Sequence, residues 1–224
     1  MADISKRERL EAAICGEPAD RPPVALWRHF PGDDQDPGEL AQSMVAFQRQ
    51  YDFDFIKVTP ASSYCVRDWG VQDRWVGNEE GTRDYVSRAV VEASDWYGLE
   101  RLDPSAGWLG AQLRCLELIR EHVGDTVPFI QTIFNPLSQA KNLAGNESLL
   151  SQIRENPQAV TAGLETITAT TVEFIEAARD EGIAGIFLAV QHASHALLSV
   201  EEYTRFGVAF DRRLLEAADG LWLN

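Results

Sequence analysis

The sequence predicts a parallel α/β sheet wrapped by helices, and three observations point to it. Short apolar runs alternate along the chain with longer segments of helical period. The runs are apolar on both faces, which is the pattern of strands covered by helices on each side. No GxGxxG follows any run, and no GxxxxGK followed by Ser or Thr occurs, so the nucleotide sites of doubly wound sheets are unsupported. An α/β barrel and an open doubly wound sheet both remain compatible with this pattern.

Each element has its own justification. Residues 5–15 read as a helix with Leu10, Ile14 and Cys15 as its apolar stripe, stopped by Gly16. Pro18, Pro22 and Pro23 make an extended approach to a first strand at 24–27. The Pro- and Asp-rich stretch 31–38 is a loop that opens into a helix reaching about residue 51. The second strand is 53–58, closed by Thr59-Pro60. Segment 61–108 lacks a helical period. Within it, 74–76 and 82–91 read as strand pieces around the turn NEEG at 78–81, an inserted hairpin.

A helix at 109–122 ends at Gly124, and 127–133 is the third strand. Helices at 138–156 and 157–180 follow, the second with Pro157 in its first turn. The fourth strand, 183–190, is the most apolar. Ser199 caps a helix over 199–218, with Glu202 completing a capping box. Gly220 stops it, and 221–224 begin a fifth strand.

Composition narrows the function classes. The 224 residues include 20 Lys and Arg against 35 Asp and Glu, a formal charge of −15. A balance this acidic repels a phosphate backbone, and no basic stripe offsets it, so nucleic acid is not an expected partner. No apolar run approaches the ~18 residues of a membrane span, and the charged N-terminus lacks a signal-peptide core. The expectation is one cytoplasmic domain over 1–224 with no membrane partner. Cys15, Cys65 and Cys115 are isolated and odd in number, which favours three buried or inert thiols over a disulfide frame or a metal site.

Ligands of parallel α/β folds sit at the carboxyl ends of the strands. There the sequence places Arg28 and His29 after the first strand, and Lys57, Thr59 and Tyr64 around the second. Asn135, Ser138, Gln139, Lys141 and Asn142 follow the third, and Gln191, His192 and His195 the fourth. This polar, cation-bearing mouth suits a small anionic molecule, since arginine grips carboxylate in a bidentate fork. Arg28 serves equally well as a surface ion-pair partner. Lys57 within an apolar strand is costly if buried, which tilts it towards a pocket or a buried pair. His192 and His195 lack a third ligand nearby, so a hydrogen-bonding role outweighs zinc. The six tryptophans read as core or interface.

Several segments resemble one family. RPPVALWR (21–28) resembles the strand-one motif of the uroporphyrinogen decarboxylase family, and SKRERLEAAICGEPADRPPV follows its N-terminal lead-in. DFDFIKVTPASSYCVRDWG (52–70), PFIQTIFNPLSQAKNLAG (128–145) and GIFLAVQHASHALLSVEEYTRFG (185–207) resemble its later strand regions. The resemblance implies a (β/α)8 TIM barrel, here incomplete, with about four βα units plus the start of a fifth strand. It also implies a cleft at the strands' carboxyl ends and a dimer or higher self-association. Eight units typically need ~250 residues, so 224 residues carrying an insertion at 61–108 read as roughly the first half of a larger protein.

The resemblance implies that Arg28 is the family's first substrate-binding arginine, with His29, Lys57, Tyr64, Asn142, Gln191 and His192 lining the mouth. Four other family positions differ. Gly32 stands for the second arginine, Thr59-Pro60 for the strand-two aspartate, Asn142 for a tyrosine and Gln191 for a serine. A pocket without that carboxylate leaves the pyrrole donors of a porphyrinogen unpaired, which argues against uroporphyrinogen itself as the substrate. Three readings follow. The first is a cofactor-free lyase acting on a carboxylated or tetrapyrrole-type molecule. The second is a methyltransferase of the same superfamily using zinc and a corrinoid partner, and the third is a non-catalytic, self-assembling half-barrel. No residue is singled out as catalytic, and no metal ligand is expected within these residues.

Overall fold

The computed structural model describes residues 4–78 and 80–224. Strands β1 (Ile56–Val58), β4 (Phe129–Phe134) and β5 (Gly185–Ala189) form a parallel sheet in the order β1-β4-β5. Apart from it, β2 (Gln72–Trp75) and β3 (Arg83–Ser87) pair as an antiparallel hairpin. The expected turn at 78–81 includes Glu79, which lies outside the described residues. Among the described residues the sheet does not close into a barrel.

Register decides what each side chain faces, because successive residues of a strand point to opposite faces. Lys57 pairs with Ile130 and Thr132 with Phe187, so Lys57, Ile130, Thr132 and Phe187 share one face. Val58, Gln131, Ile133 and Ile186 lie on the other, under helices α3 (Gly107–Val123) and α6 (Pro157–Asp180). There Val58 and Ile133 join Leu116 and Ile119 of α3 and Ile167 and Phe174 of α6 in one core, all at most 1% exposed. Gln131 is satisfied on that side, accepting from Gln112 Nε2 of α3 at 3.0 Å.

Helix ends follow local sequence. Helix α1 (Lys6–Cys15) starts at a Ser5/Glu8 capping box and stops at Gly16 in the left-handed region. Helix α2 (Pro37–Tyr51) begins under the Asp36 side chain with Pro37 in its first turn. Its C-cap is Asp52, a non-glycine residue at φ +53, whose carboxylate meets Lys6 Nζ at 2.6 Å and ties α1 to α2. The expected stripe of α1 is corrected. Leu10 and Arg9 are buried, whereas Ile14 and Cys15 are exposed. Arg9 takes the inward place because Asp20 and Asp54 satisfy it at 2.7 Å each. Of the cysteines, Cys65 and Cys115 are buried as expected.

Four other expectations change. Residues 24–27 are extended but join no ladder. Val24 N–H donates to Asp54 Oδ2 at 2.7 Å and its carbonyl accepts from Asp54 N–H at 2.8 Å, so a single residue holds the segment. The stretch 138–156 is two helices, α4 (Pro136–Ala144) and α5 (Asn146–Glu155), because Gly145 at φ +91 breaks the helical backbone between them. The stretch 199–218 is also divided. Helix α7 (Val200–Tyr203) and helix α8 (Ala209–Ala217) flank a π-helical turn, Thr204–Val208, where only Gly207 fits against the Tyr203 ring. Residues 221–224 make no ladder either. Leu223 N–H donates to Ala184 O at 2.9 Å, and the next bond comes from a side chain, Asn224 Oδ1 accepting from Ile186 N–H at 3.0 Å.

Candidate functional site

Two polar groupings lie on or beside the sheet. The first is built on Lys57. Its strand neighbours Ile56 and Val58 turn to the helices, so the period-2 rule turns Lys57 to the opposite face. Its Nζ lies 4.4 Å from the Phe187 ring centroid and 4.9 Å from that of Trp27, and the two rings stand 5.7 Å apart. Lys57 is 6% exposed and has no carboxylate within ion-pair distance among the described residues. Burial lowers its ammonium to about 8, while the ring faces stabilise the charge in part. Beside it, burial and then the charge of Lys57 lower the His29 imidazole. Arg28 is exposed, with Nε donating to the His29 carbonyl at 3.1 Å and its guanidinium over the Phe30 ring.

The second grouping joins the carboxyl side of β4 and β5 to the hairpin. Arg88, just past β3, donates Nη1 to the Asn142 and Lys141 carbonyls at 2.8 and 3.2 Å, so it caps the last turn of α4. Its guanidinium also covers the Tyr85 ring at 4.6 Å. Asn142 Nδ2 donates to Ser62 O at 3.4 Å, and His192 Nε2 pairs with Asn146 Oδ1 at 3.0 Å. Burial and then Arg88 lower Lys141, and burial and then Lys141 lower His192.

Below this grouping, Asn135 caps α4 by accepting from Ser138 N–H at 3.0 Å and donates Nδ2 to Asp211 of α8 at 3.0 Å. Tyr203 donates its hydroxyl to the same carboxylate at 3.0 Å. Burial raises Asp211 above the ordinary carboxylate range.

Of the residues singled out from sequence, the structure brings Arg28, His29 and Lys57 into one grouping and Asn142 and His192 into the other. Gln191 is exposed and outside both. Tyr64 is corrected. It lies in the core, 3% exposed, with its hydroxyl donating to Thr132 O at 2.9 Å and its ring beside Phe134 and Phe174. An aromatic ring next to an apolar strand finds more contact inward than at a rim.

Sequence reasoning missed Tyr85 and Arg88, which sit on an insertion that no strand-end rule covers. It also missed Trp27 as a ring over Lys57. No group of three His, Cys, Asp or Glu side chains converges among the described residues, so they offer no zinc site. Burial also pushes the Cys65 and Cys115 thiols up to about 12, the reverse of what a thiolate ligand needs.

Comparison with known proteins gives three results. The family described as Uroporphyrinogen decarboxylase (URO-D) matches residues 5–221. The methylated-thiol–coenzyme M methyltransferase of Methanosarcina mazei is 24% identical over 150 residues, 67% of this chain. That match spans 38% of the relative's own length. A solved methyltransferase structure from Methanosarcina mazei superposes with a TM-score of 0.79 at 18% identity, covering 97% of this chain and 68% of that one. At that identity the likeness speaks for the fold.

Proposed function

The chain belongs to the uroporphyrinogen decarboxylase family, and on that premise we propose that it serves methyl transfer from a small anionic methylated thiol rather than porphyrinogen decarboxylation. The observation that carries the reading is Lys57, a buried ammonium without a carboxylate partner among the described residues, faced by the rings of Trp27 and Phe187. One cation between aromatic walls suits a ligand with a single negative group and a thioether, because sulfur packs favourably against ring edges. A porphyrinogen would ask for several cations and an acceptor for its pyrrole N–H groups, and Thr59-Pro60 supplies no acid there. The named relative, a methyltransferase for methylated thiols, supports the same branch.

In this reading the chain's own residues bind and orient. Lys57 holds the anion, Trp27 and Phe187 offer their rings to the thioether, and Arg28 and His29 border the entrance. The donor set described above does not fit a zinc ion, so no step here runs through a metal.

Calorimetric titration with 3-(methylthio)propanoate tests the reading. A charge-assisted contact is worth about 1.5–3 kcal/mol, so Lys57→Met should weaken saturable binding by at least about tenfold. Loss of carboxylates from uroporphyrinogen on incubation with the chain would overturn the reading. So would equal binding by Lys57→Met.

A further inference from the structure

The grouping at Arg88 carries an inference that goes beyond the reaction class and stands without it. Two half-buried cations, Arg88 and Lys141, lie within electrostatic range of each other and have no carboxylate within ion-pair distance among the described residues. The setting is a chain with 35 acidic residues against 20 basic ones. Three buried polar atoms beside them also lack partners: Tyr85 Oη, Asn142 Oδ1 and His192 Nδ1. Asn142 and His192 are 3% and 4% exposed. Leaving such groups unpaired is costly, because each gave up its water on folding. A set of unpaired groups beside unneutralised cations is what a site looks like when a ligand completes it.

The unpaired atoms also indicate the chemistry. Asn142 spends its amide N–H on Ser62, which leaves an acceptor. Burial and then Lys141 disfavour the charged form of His192, and in the neutral ring an Nε2 that donates to Asn146 Oδ1 leaves Nδ1 as a second acceptor. A bare carboxylate would satisfy the cations and leave both acceptors empty.

From Arg88, Lys141, Tyr85, Asn142 and His192 we infer a binding site for an oxyanion that also carries a hydrogen-bond donor, the chemistry shared by a 2-hydroxycarboxylate and by monohydrogen phosphate. The cations take the negative oxygens, and the ligand's O–H reaches Asn142 Oδ1 or His192 Nδ1.

The test uses the chain as it stands, titrated with glycolate, inorganic phosphate or acetate at fixed ionic strength made up with potassium chloride. Two readouts are followed: thermal midpoint and the 15N shift of His192 Nδ1. Glycolate or phosphate should raise the midpoint saturably and move the Nδ1 signal, and the arm that does so identifies the source of the oxyanion. Acetate should bind at least fivefold more weakly. Lys141→Met, a side chain with no hydrogen bond or ion pair of its own in the described residues, should fold and lose both responses. The inference is overturned if chloride alone reproduces the midpoint shift, if acetate matches glycolate, or if Lys141→Met keeps the Nδ1 response. Lys57→Met should leave this site intact, so its failure and that of the methyl-transfer reading are distinguishable.

Discussion

Arg83 and Arg88 lie five residues apart on the hairpin, yet their surroundings are opposite. Arg83 shares Asp73 with Arg67, reaches Asp34 at 3.4 Å, and the four side chains are 1–8% exposed. Ser63 adds a hydroxyl to Asp73 at 2.8 Å. Every cation there meets a carboxylate. The N-terminal staple follows the same pattern, with Arg9 and Arg21 both on Asp54. Around Arg88 the chain supplies carbonyl oxygens and a ring but no acid. The difference separates two uses of a buried positive charge. Where it holds the fold, its counter-charge is covalently part of the chain. Where it is left bare in an acidic protein, as at Arg88, the oxyanion inferred above would supply the counter-charge.

The largest effect should come from breaking the neutralised cluster. Asp73→Asn strips Arg67 of its carboxylate and leaves Arg83 only Asp34 at 3.4 Å, and removing one partner of such a buried pair costs about 3–5 kcal/mol. Urea unfolding should show the loss in the midpoint; an unchanged midpoint would erase the distinction between the two clusters.

The acid limb of stability comes next. Burial alone would raise Asp54, but hydrogen bonds from Arg21, the Val24 N–H and Arg9 bring it below its ordinary value, and Arg9 holds Asp20 at about 2. Carboxylates depressed in the folded state contribute stability that is present above about pH 4, the unfolded value, and lost as pH falls through the folded one. Urea midpoints measured from pH 5 to pH 2 should fall steadily, and Asp54→Asn should flatten that fall.

Bare cations should behave the other way. The Lys57 ammonium is lowered to about 8, so the folded state gives up its proton before the unfolded chain does. Stability should therefore rise with pH from about 8 towards the ordinary lysine value near 10.4. Lys57→Met should abolish that rise and gain about 1 kcal/mol at neutral pH, since an apolar side chain of similar volume suits the site better. A loss of stability instead would mean that the two aromatic rings fully compensate the charge.

The smallest effect belongs to Lys141→Met, expected within about 0.5 kcal/mol of the parent because no ion pair is broken. A fall of several kcal/mol would place Lys141 with Arg83 among the structural cations.

Much of the fold was legible because periodicity and caps are local. Pro157 and Ser199 with Glu202, read as helix starts from the sequence, mark real ones, whereas Pro37, read as part of a loop, opens a helix. The wholly buried run of β4 reads directly as a covered parallel strand. The misread elements depend on distant partners. Residues 24–27 have a strand's composition, but their hydrogen bonds go to Asp54, and nothing in their own sequence announces that. Gly145 at φ +91 breaks a helical period that apolar spacing alone carries through, and Gly207 lies in a π-helical turn that the same spacing does not announce.

The candidate sites divide in the same way. Lys57 could be picked out because a lysine inside an apolar strand is costly wherever it faces. Family membership, too, was written in the chain, in RPPVALWR and the segments after it. That Tyr64 turns inward while Trp27 covers the ammonium followed only from packing, because an aromatic side chain suits core and rim equally until its neighbours are in place. Whether a cation is neutralised is likewise a tertiary property. Arg83 and Arg88 look alike in sequence, and only the fold brings Asp73 to one and leaves the other facing Tyr85 and the end of α4, since pairing needs approach within about 4 Å and sequence spacing across loops does not set such distances.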